Sequence, residues 1–281
     1  MFCDHRGRYS LLVNLQKEET GDRTTRKKTA QRKAINATAI LAEIVSTMFL
    51  VSLGCMCTVP IDGLANATPM YGPLGFGLIV LFNITSFGHL SGAHMNPAVT
   101  LAAVIWGQTS IVSGILYFMA QCTGSTIGYG ILVALSPTGF TSGAICVTQP
   151  SLKYTVYQAL GFEVILTAAL VFITCAVWDP VNKDSQESNA IKVGLTVAGL
   201  SFAGGPMTGA GMNPARSLGP AIWTSSWRAH WVYWAGPFLG SFLAVLIYKF
   251  IWLPDNKKTN ICAVPDTGEG LVRKLSVDMM A

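Results

Sequence analysis

Between Gly63 and Leu152 the chain runs for 90 residues without a single Asp, Glu, Lys or Arg. A soluble domain carries about one charged residue in four and could not solvate such a stretch. Charge-free runs recur at Ile44–Ile61, Val164–Trp178, Val193–Ala215 and Ala229–Tyr248, with 18, 15, 23 and 20 residues. A helix needs roughly 20 mainly apolar residues to cross a bilayer. The runs therefore predict an all-α membrane protein with several spans. The short alternating segments of a transmembrane β-barrel are missing. Only 12% of the chain is charged, which excludes a disordered chain and a nucleic-acid binder, since the latter's basic face needs far more Lys and Arg. No nucleophile–base pair, metal-ligand cluster or phosphate loop stands out, so neither an enzyme nor a cofactor is expected.

Six spans are placed at about 39–59, 73–92, 111–134, 156–178, 190–205 and 230–252. Two further apolar stretches, Met95–Trp106 and Met212–Trp223, are too short to cross, and both open with Met-Asn-Pro-Ala. The asparagines of this tetrapeptide lie 117 residues apart, and Glu43 and Glu163, in matching contexts of the first and fourth spans, lie 120 apart. The chain thus divides into half-repeats at about 39–134 and 156–252, each with three spans and one short helix. Three spans is an odd number, so the second half enters the membrane from the opposite side. The expected architecture is an inverted repeat whose two re-entrant half-helices meet near the midplane.

Positive charge orients this arrangement. With both termini cytoplasmic, 16 of the 19 Lys and Arg lie inside, nine of them in the tail 1–38, and only Lys153, Arg216 and Arg228 lie outside. The tail 1–38 has no apolar stretch of the signal-peptide kind and is expected to be retained; residues 253–281 form a second cytoplasmic tail. A multi-pass protein of the cell membrane is expected. Asn66-Ala67-Thr68 in the first outer loop matches the glycosylation acceptor pattern; Asn83-Ile84-Thr85 matches it too, but within a span. Arg273-Lys274-Leu275-Ser276 has the form of a basophilic phosphorylation site. The cysteines, Cys3, Cys55, Cys57, Cys122, Cys146, Cys175 and Cys262, are odd in number and lack metal-ligand spacing. They are expected to be small buried helix residues, with disulfides left open for those outside.

Chemistry concentrates at the two short segments. In Asn96-Pro97-Ala98 and Asn213-Pro214-Ala215 the Asn suits an N-cap and the Pro the first helical position. Ten residues reach roughly 15 Å, half the hydrocarbon core. Two such helices abutting at their N-termini place partial positive charge at mid-membrane and turn two asparagine amides toward whatever passes. The preceding segments are glycine-rich, and extended backbone at that depth must line water or be buried in protein. Carbonyls of Gly92, Ala93, His94, Gly209 and Gly211 are expected to line a polar, uncharged, single-file path.

With these motifs the chain resembles the aquaporin (major intrinsic protein) family over about residues 39–252. The resemblance rests on Ser91-Gly92-Ala93-His94-Met95-Asn96-Pro97-Ala98-Val99-Thr100 and on Gly211-Met212-Asn213-Pro214-Ala215-Arg216-Ser217. It implies a cofactor-free passive pore in each subunit of a homotetramer, with a selectivity filter at Phe76, Ser201, Ala210 and Arg216. Arg216 would donate to the permeant and repel protons and cations. Water-selective members place His where Ser201 stands, so small Ser201 and Ala210 imply a wider opening, with Phe76 as its apolar wall. That opening suits glycerol, urea and water. Ser217, where glycerol channels of this family carry Asp, and the aromatics Tyr233 and Trp234 are similar instead to water channels. The combination resembles the insect glycerol-transporting group, the entomoglyceroporins.

Competing readings are a water-specific pore and a membrane-junction structural protein with little conductance. Glu43 and Glu163 are read as structural anchors that accept hydrogen bonds from the loop behind each half-helix, the alternative being a proton relay. For His89 and His94, beside the first half-loop, structural hydrogen bonding is weighed against a pH gate. Gly75, Gly77, Gly194 and Gly199 are expected at close helix crossings.

Overall fold

The computed structural model describes residues 36–60 and 68–253. Asn66, Cys3, Cys262, the motif 273–276 and nearly all of both tails lie outside them. Eight α-helices follow in order: α1 (Ala37–Met56), α2 (Thr68–Ser91), α3 (Pro97–Trp106), α4 (Ile111–Leu135), α5 (Val156–Trp178), α6 (Asn189–Thr208), α7 (Pro214–Thr224) and α8 (Val232–Ile247). Six membrane-length apolar helices occur among the described residues, built on α1, α2, α4, α5, α6 and α8. The two short helices are α3, of 10 residues, and α7, of 11. No strand occurs among the described residues. The all-α architecture of six spans and two half-helices is the one the charge pattern demanded.

Side chains distribute inside out relative to a soluble protein. Ile165, Ile115, Met119, Leu41 and Phe250 are exposed on the helix exteriors, whereas Glu43, Gln121, Glu163, Asn83 and Ser125 are fully buried. Apolar faces of this extent call for lipid, and buried polar groups must find partners within the bundle. Asn83 illustrates the second point: its amide donates to the Ser46 carbonyl at 3.0 Å and braces α2 on α1. That burial removes the second glycosylation pattern from consideration.

The two halves interlock rather than sit side by side. Within each half the first and last long helices pack together, α1 on α4 and α5 on α8, while α2 and α6 pair across the halves. Each half-helix then leans on the last helix of the other half, α7 on α4 and α3 on α8. The α2–α6 crossing depends on glycine at both faces. A Cβ on Gly77 would stand 2.5 Å from the Gly194 carbonyl oxygen, and one on Gly194 2.7 Å from that of Gly77. Gly77→Ala must therefore push the helices apart, at about 1–3 kcal/mol of overpacking cost. The expected result is a fall of about 5 °C in thermal midpoint, read by unfolding of the purified protein; an unchanged midpoint would refute this account of the crossing. A Cβ on Gly75 would likewise come 2.5 Å from Cys57 Cβ. A Cβ on Gly199, in contrast, would meet nothing within 4 Å beyond its own helix, so Gly199 takes no part in a crossing.

The candidate permeation path

Each half-helix is positioned by a buried carboxylate that gathers the donors of the loop before it. Glu43 accepts from the Ser91 hydroxyl (2.6 Å) and the backbone N–H of His94 (2.9 Å) on Oε1, and from the N–H of Met95 (2.8 Å) and the Gln121 amide (2.8 Å) on Oε2. Glu163 repeats the pattern with the Thr208 hydroxyl (2.6 Å), Gly211 N–H (2.8 Å) and Met212 N–H (2.7 Å). Both glutamates are fully buried. Tyr117 and Tyr233 donate to the carbonyls of Ser91 and Thr208, at 3.1 and 2.7 Å, and so fix the ends of α2 and α6.

The loops themselves adopt one conformation twice. Gly92, Ala93 and Met95 have φ of 90°, 47° and 53°; Gly209, Ala210 and Met212 have 77°, 48° and 52°. The left-handed region is costly for Ala and Met. The carboxylate contacts hold it. Carbonyl-bearing residues Gly92, Ala93, His94, Gly209 and Gly211 all line one cavity.

At the tips the asparagines do two jobs. Asn96 Oδ1 accepts from Ala98 N–H at 2.8 Å, and Asn213 Oδ1 accepts from Arg216 N–H at 3.1 Å, the N-cap geometry expected of them. Their amide nitrogens cross over. Asn96 Nδ2 donates to the Met212 carbonyl at 2.9 Å, and Asn213 Nδ2 donates to the Met95 carbonyl at 2.7 Å. The two helix tips are thus bonded to each other's loops. Each amide carries two hydrogens, so one is spent on the partner loop and the second is left for the cavity. Sequence reasoning gave the amide oxygen to the N-cap and the NH2 to the permeant; the bond from each NH2 to the opposite loop was not foreseen. Pro97, Ala98, Pro214 and Ala215 are buried behind the tips. Ser241 of α8 donates to the Ala98 carbonyl at 2.6 Å, and Ser125 of α4 donates to the Ala215 carbonyl.

A cavity of about 220 Å³ runs past both asparagines, from the junction of α1 and α2 at Thr58 and Gly72 to the junction of α5 and α6 at Trp178 and Asn189. Phe76, Ser201, Ala210 and Arg216, though scattered over the sequence, all line it and are all buried. The Arg216 guanidinium stands 4.8 Å from the Phe76 ring centroid and donates to the Cys146 carbonyl at 2.7 Å. Such a site can offer hydrogen bonds to a neutral solute on one wall and apolar surface on another. Two half-helix N-termini and a guanidinium make it hostile to cations.

Several residues depart from their expected places. His94 lines the cavity, its Nδ1 3.1 Å from the Thr100 hydroxyl, but His89 is exposed and off the path. Cys55 and Cys146, expected as small buried residues with a disulfide left open for the outer cysteines, form a disulfide with Cα atoms 5.3 Å apart. That pairing depends on where a loop returns to α1 across 91 residues, and residue spacing does not encode it. The bonding roles of Gln121, Ser91, Thr208, Tyr117, Ser125 and Ser241 were not read from the sequence. For Ser91 and Thr208 the signal was the repeat interval, since they share the 117-residue offset of the asparagines.

Comparison with known proteins agrees with this geometry. The chain is 40% identical to mouse Aquaporin-4 over 221 residues, covering 77% of this chain and 68% of that protein. It is 35% identical to Aquaporin FA-CHIP of Pelophylax lessonae over 226 residues, covering 77% and 83%. The aquaglyceroporin structure from Plasmodium falciparum superposes with a TM-score of 0.67 over 77% of this chain and 96% of that one; at 24% identity the likeness is one of fold. Residues 30–248 match the Major intrinsic protein (MIP) family. From the reciprocal asparagine tips, the apolar exterior and that match together, the chain belongs to the major intrinsic protein family and is a passive membrane channel for water or small solutes, not an enzyme.

Proposed function

We propose that this channel conducts glycerol and urea as well as water, and excludes protons and ions. The observation that carries the reading is the pairing of Ser201 and Ala210, both small, with Phe76 and Arg216 around one buried cavity. A polyol presents carbon to Phe76 and hydroxyls to Arg216 and the loop carbonyls, so each solute face meets matching chemistry. Water alone needs neither the apolar wall nor the extra width. The likeness of the filter residues to entomoglyceroporins supports the same assignment. A water-specific pore is the competing reading, favoured by relatives named aquaporin and by Tyr233 and Ser217. In our reading Tyr233 serves the loop, through its bond to Thr208, and Ser217 is buried away from the cavity lining.

Stopped-flow swelling of proteoliposomes separates the two. Water, glycerol and urea permeabilities are each expected to exceed those of protein-free vesicles; water flux without glycerol or urea flux would refute the proposal. We further place the channel domain, about residues 39–252, in the cell membrane as a homotetramer with both termini cytoplasmic. The excess of Lys and Arg in the cytoplasmic segments supports that orientation.

A further inference from the structure

The geometry points to the Cys55–Cys146 cross-link as a positioning device for the filter, one that sets where Arg216 and Phe76 stand and thereby which solutes pass. Among the described residues, the hydrogen-bond acceptors of the Arg216 side chain both belong to Cys146. They are its carbonyl oxygen, at 2.7 Å from Nη1, and its Sγ, at 3.5 Å from Nη2. Where Cys146 goes, the guanidinium goes. The backbone there is unsettled by itself: Ala144 and Cys146 have φ of 47° and 65°. Neither residue has glycine's freedom in that region, so the turn persists only while its surroundings hold it. The holders are the disulfide, the Arg216 bond, the Tyr129 hydroxyl, which donates to the Ile145 carbonyl at 2.7 Å, and two backbone bonds, Ala144 N–H to the Thr141 carbonyl at 3.3 Å and Val147 N–H to the Ala144 carbonyl at 3.2 Å.

The other end of the cross-link reaches the opposite wall. Cys55 is fully buried near the end of α1, and its neighbour Gly54 backs the Phe76 ring. The fit is tight enough that a Cβ on Gly54 would come 2.7 Å from Phe76 Cδ1. One covalent bond therefore links the support of the apolar wall to the acceptor of the cationic wall. The chain alone would connect them through 91 residues. Loss of the bond frees the 144–146 turn to relax toward ordinary backbone angles, carrying the Cys146 carbonyl and Arg216 off the path. The expected consequence is a looser solute cut-off rather than a closed pore.

This inference rests on Arg216 and Phe76 forming the constriction, but not on glycerol being a permeant. The test uses the full chain in proteoliposomes, with water, urea, glycerol and the larger polyol erythritol as probes. Wild-type protein is compared with Cys55→Ser, with Cys146→Ser, and with wild type reduced after reconstitution by a water-soluble phosphine. In that reduction the S–S bond is cleaved to two thiols and the phosphine takes up oxygen from water to become its oxide. Alkylation of the new thiols, read by mass, verifies that cleavage is complete. On losing the bond, the permeability to urea and erythritol relative to water should rise at least threefold, and reoxidation should restore it. A merely structural disulfide would lower all fluxes in proportion and leave the ratios alone. Unchanged ratios in the reduced wild type and in the variants overturn the inference; if a variant does not fold, the reduced wild type decides. Wild type that passes no glycerol counts against the proposed function only, because the urea and erythritol ratios still read the cross-link.

Discussion

Ser201→His is expected to lower glycerol permeability about tenfold, an added barrier of about 1.4 kcal/mol, while water permeability falls by less than about threefold. Ser201 is buried on α6 and lines the cavity together with Phe76, Ala210 and Arg216. An imidazole in its place fills space that a carbon backbone needs, and leaves a passage that a water molecule still fits. It also adds a ring nitrogen that can hydrogen-bond water, which partly offsets the narrowing for that permeant alone. The measurement is the pair of swelling rates, in glycerol and in sucrose, on the same vesicle preparation with protein content equalised. Equal loss of both fluxes would mean that position 201 supports the fold and does not discriminate solutes. No loss of either would mean that neighbouring side chains, and not residue 201, set the width.

Glu163→Gln is expected to reduce the thermal midpoint by about 2–12 °C and to abolish most flux of every permeant. The carboxylate serves three donors: the Thr208 hydroxyl and Gly211 N–H on one oxygen, and Met212 N–H on the other. Glutamine keeps one acceptor oxygen and turns an NH2 toward a donor in place of the second. Each buried donor left without an acceptor costs about 1–3 kcal/mol, and about 1 kcal/mol moves the midpoint of a chain this size by about 2–4 °C. The loop from Gly209 to Met212, held in left-handed backbone by those bonds, would relax. Asn213, whose amide ties this tip to Met95, would move with it. The same variant separates the two roles weighed for this residue. A proton relay is neutral for part of its cycle, so a neutral isostere would leave fold and water flux intact. An acceptor-only anchor does not survive it. Wild-type midpoint and wild-type flux in Glu163→Gln would sink the anchor. Glu43 carries four donors and should respond in the same direction.

Legibility of this protein in its sequence varied with the length scale of the cause. Membrane spans were legible because an apolar run long enough to cross a bilayer has few other stable homes; α4 and α5 begin at residues 111 and 156, where the third and fourth spans were placed. The half-helices were legible because Asn-Pro starts a helix by local stereochemistry and because each run stops after about ten residues. Repetition made Glu43 and Glu163 legible as a pair. Less legible was what each polar group would bond to. His89 and His94 read alike, yet one faces outward and the other lines the path, since five residues turn a helix end into a loop. Gly194 and Gly199 also read alike, and only the first meets another helix.

From sequence alone came the membrane environment, the helical class, the twofold repetition and the identity of the tip asparagines, because each follows from local hydropathy or local backbone chemistry. Only the folded chain decided that each asparagine binds the opposite loop, that Ser125 and Ser241 brace the other half's tip, and that Cys146 returns to Cys55 beside Arg216. Those contacts join residues roughly a hundred positions apart. Their partners are chosen by the packing of whole helices, which no single segment carries.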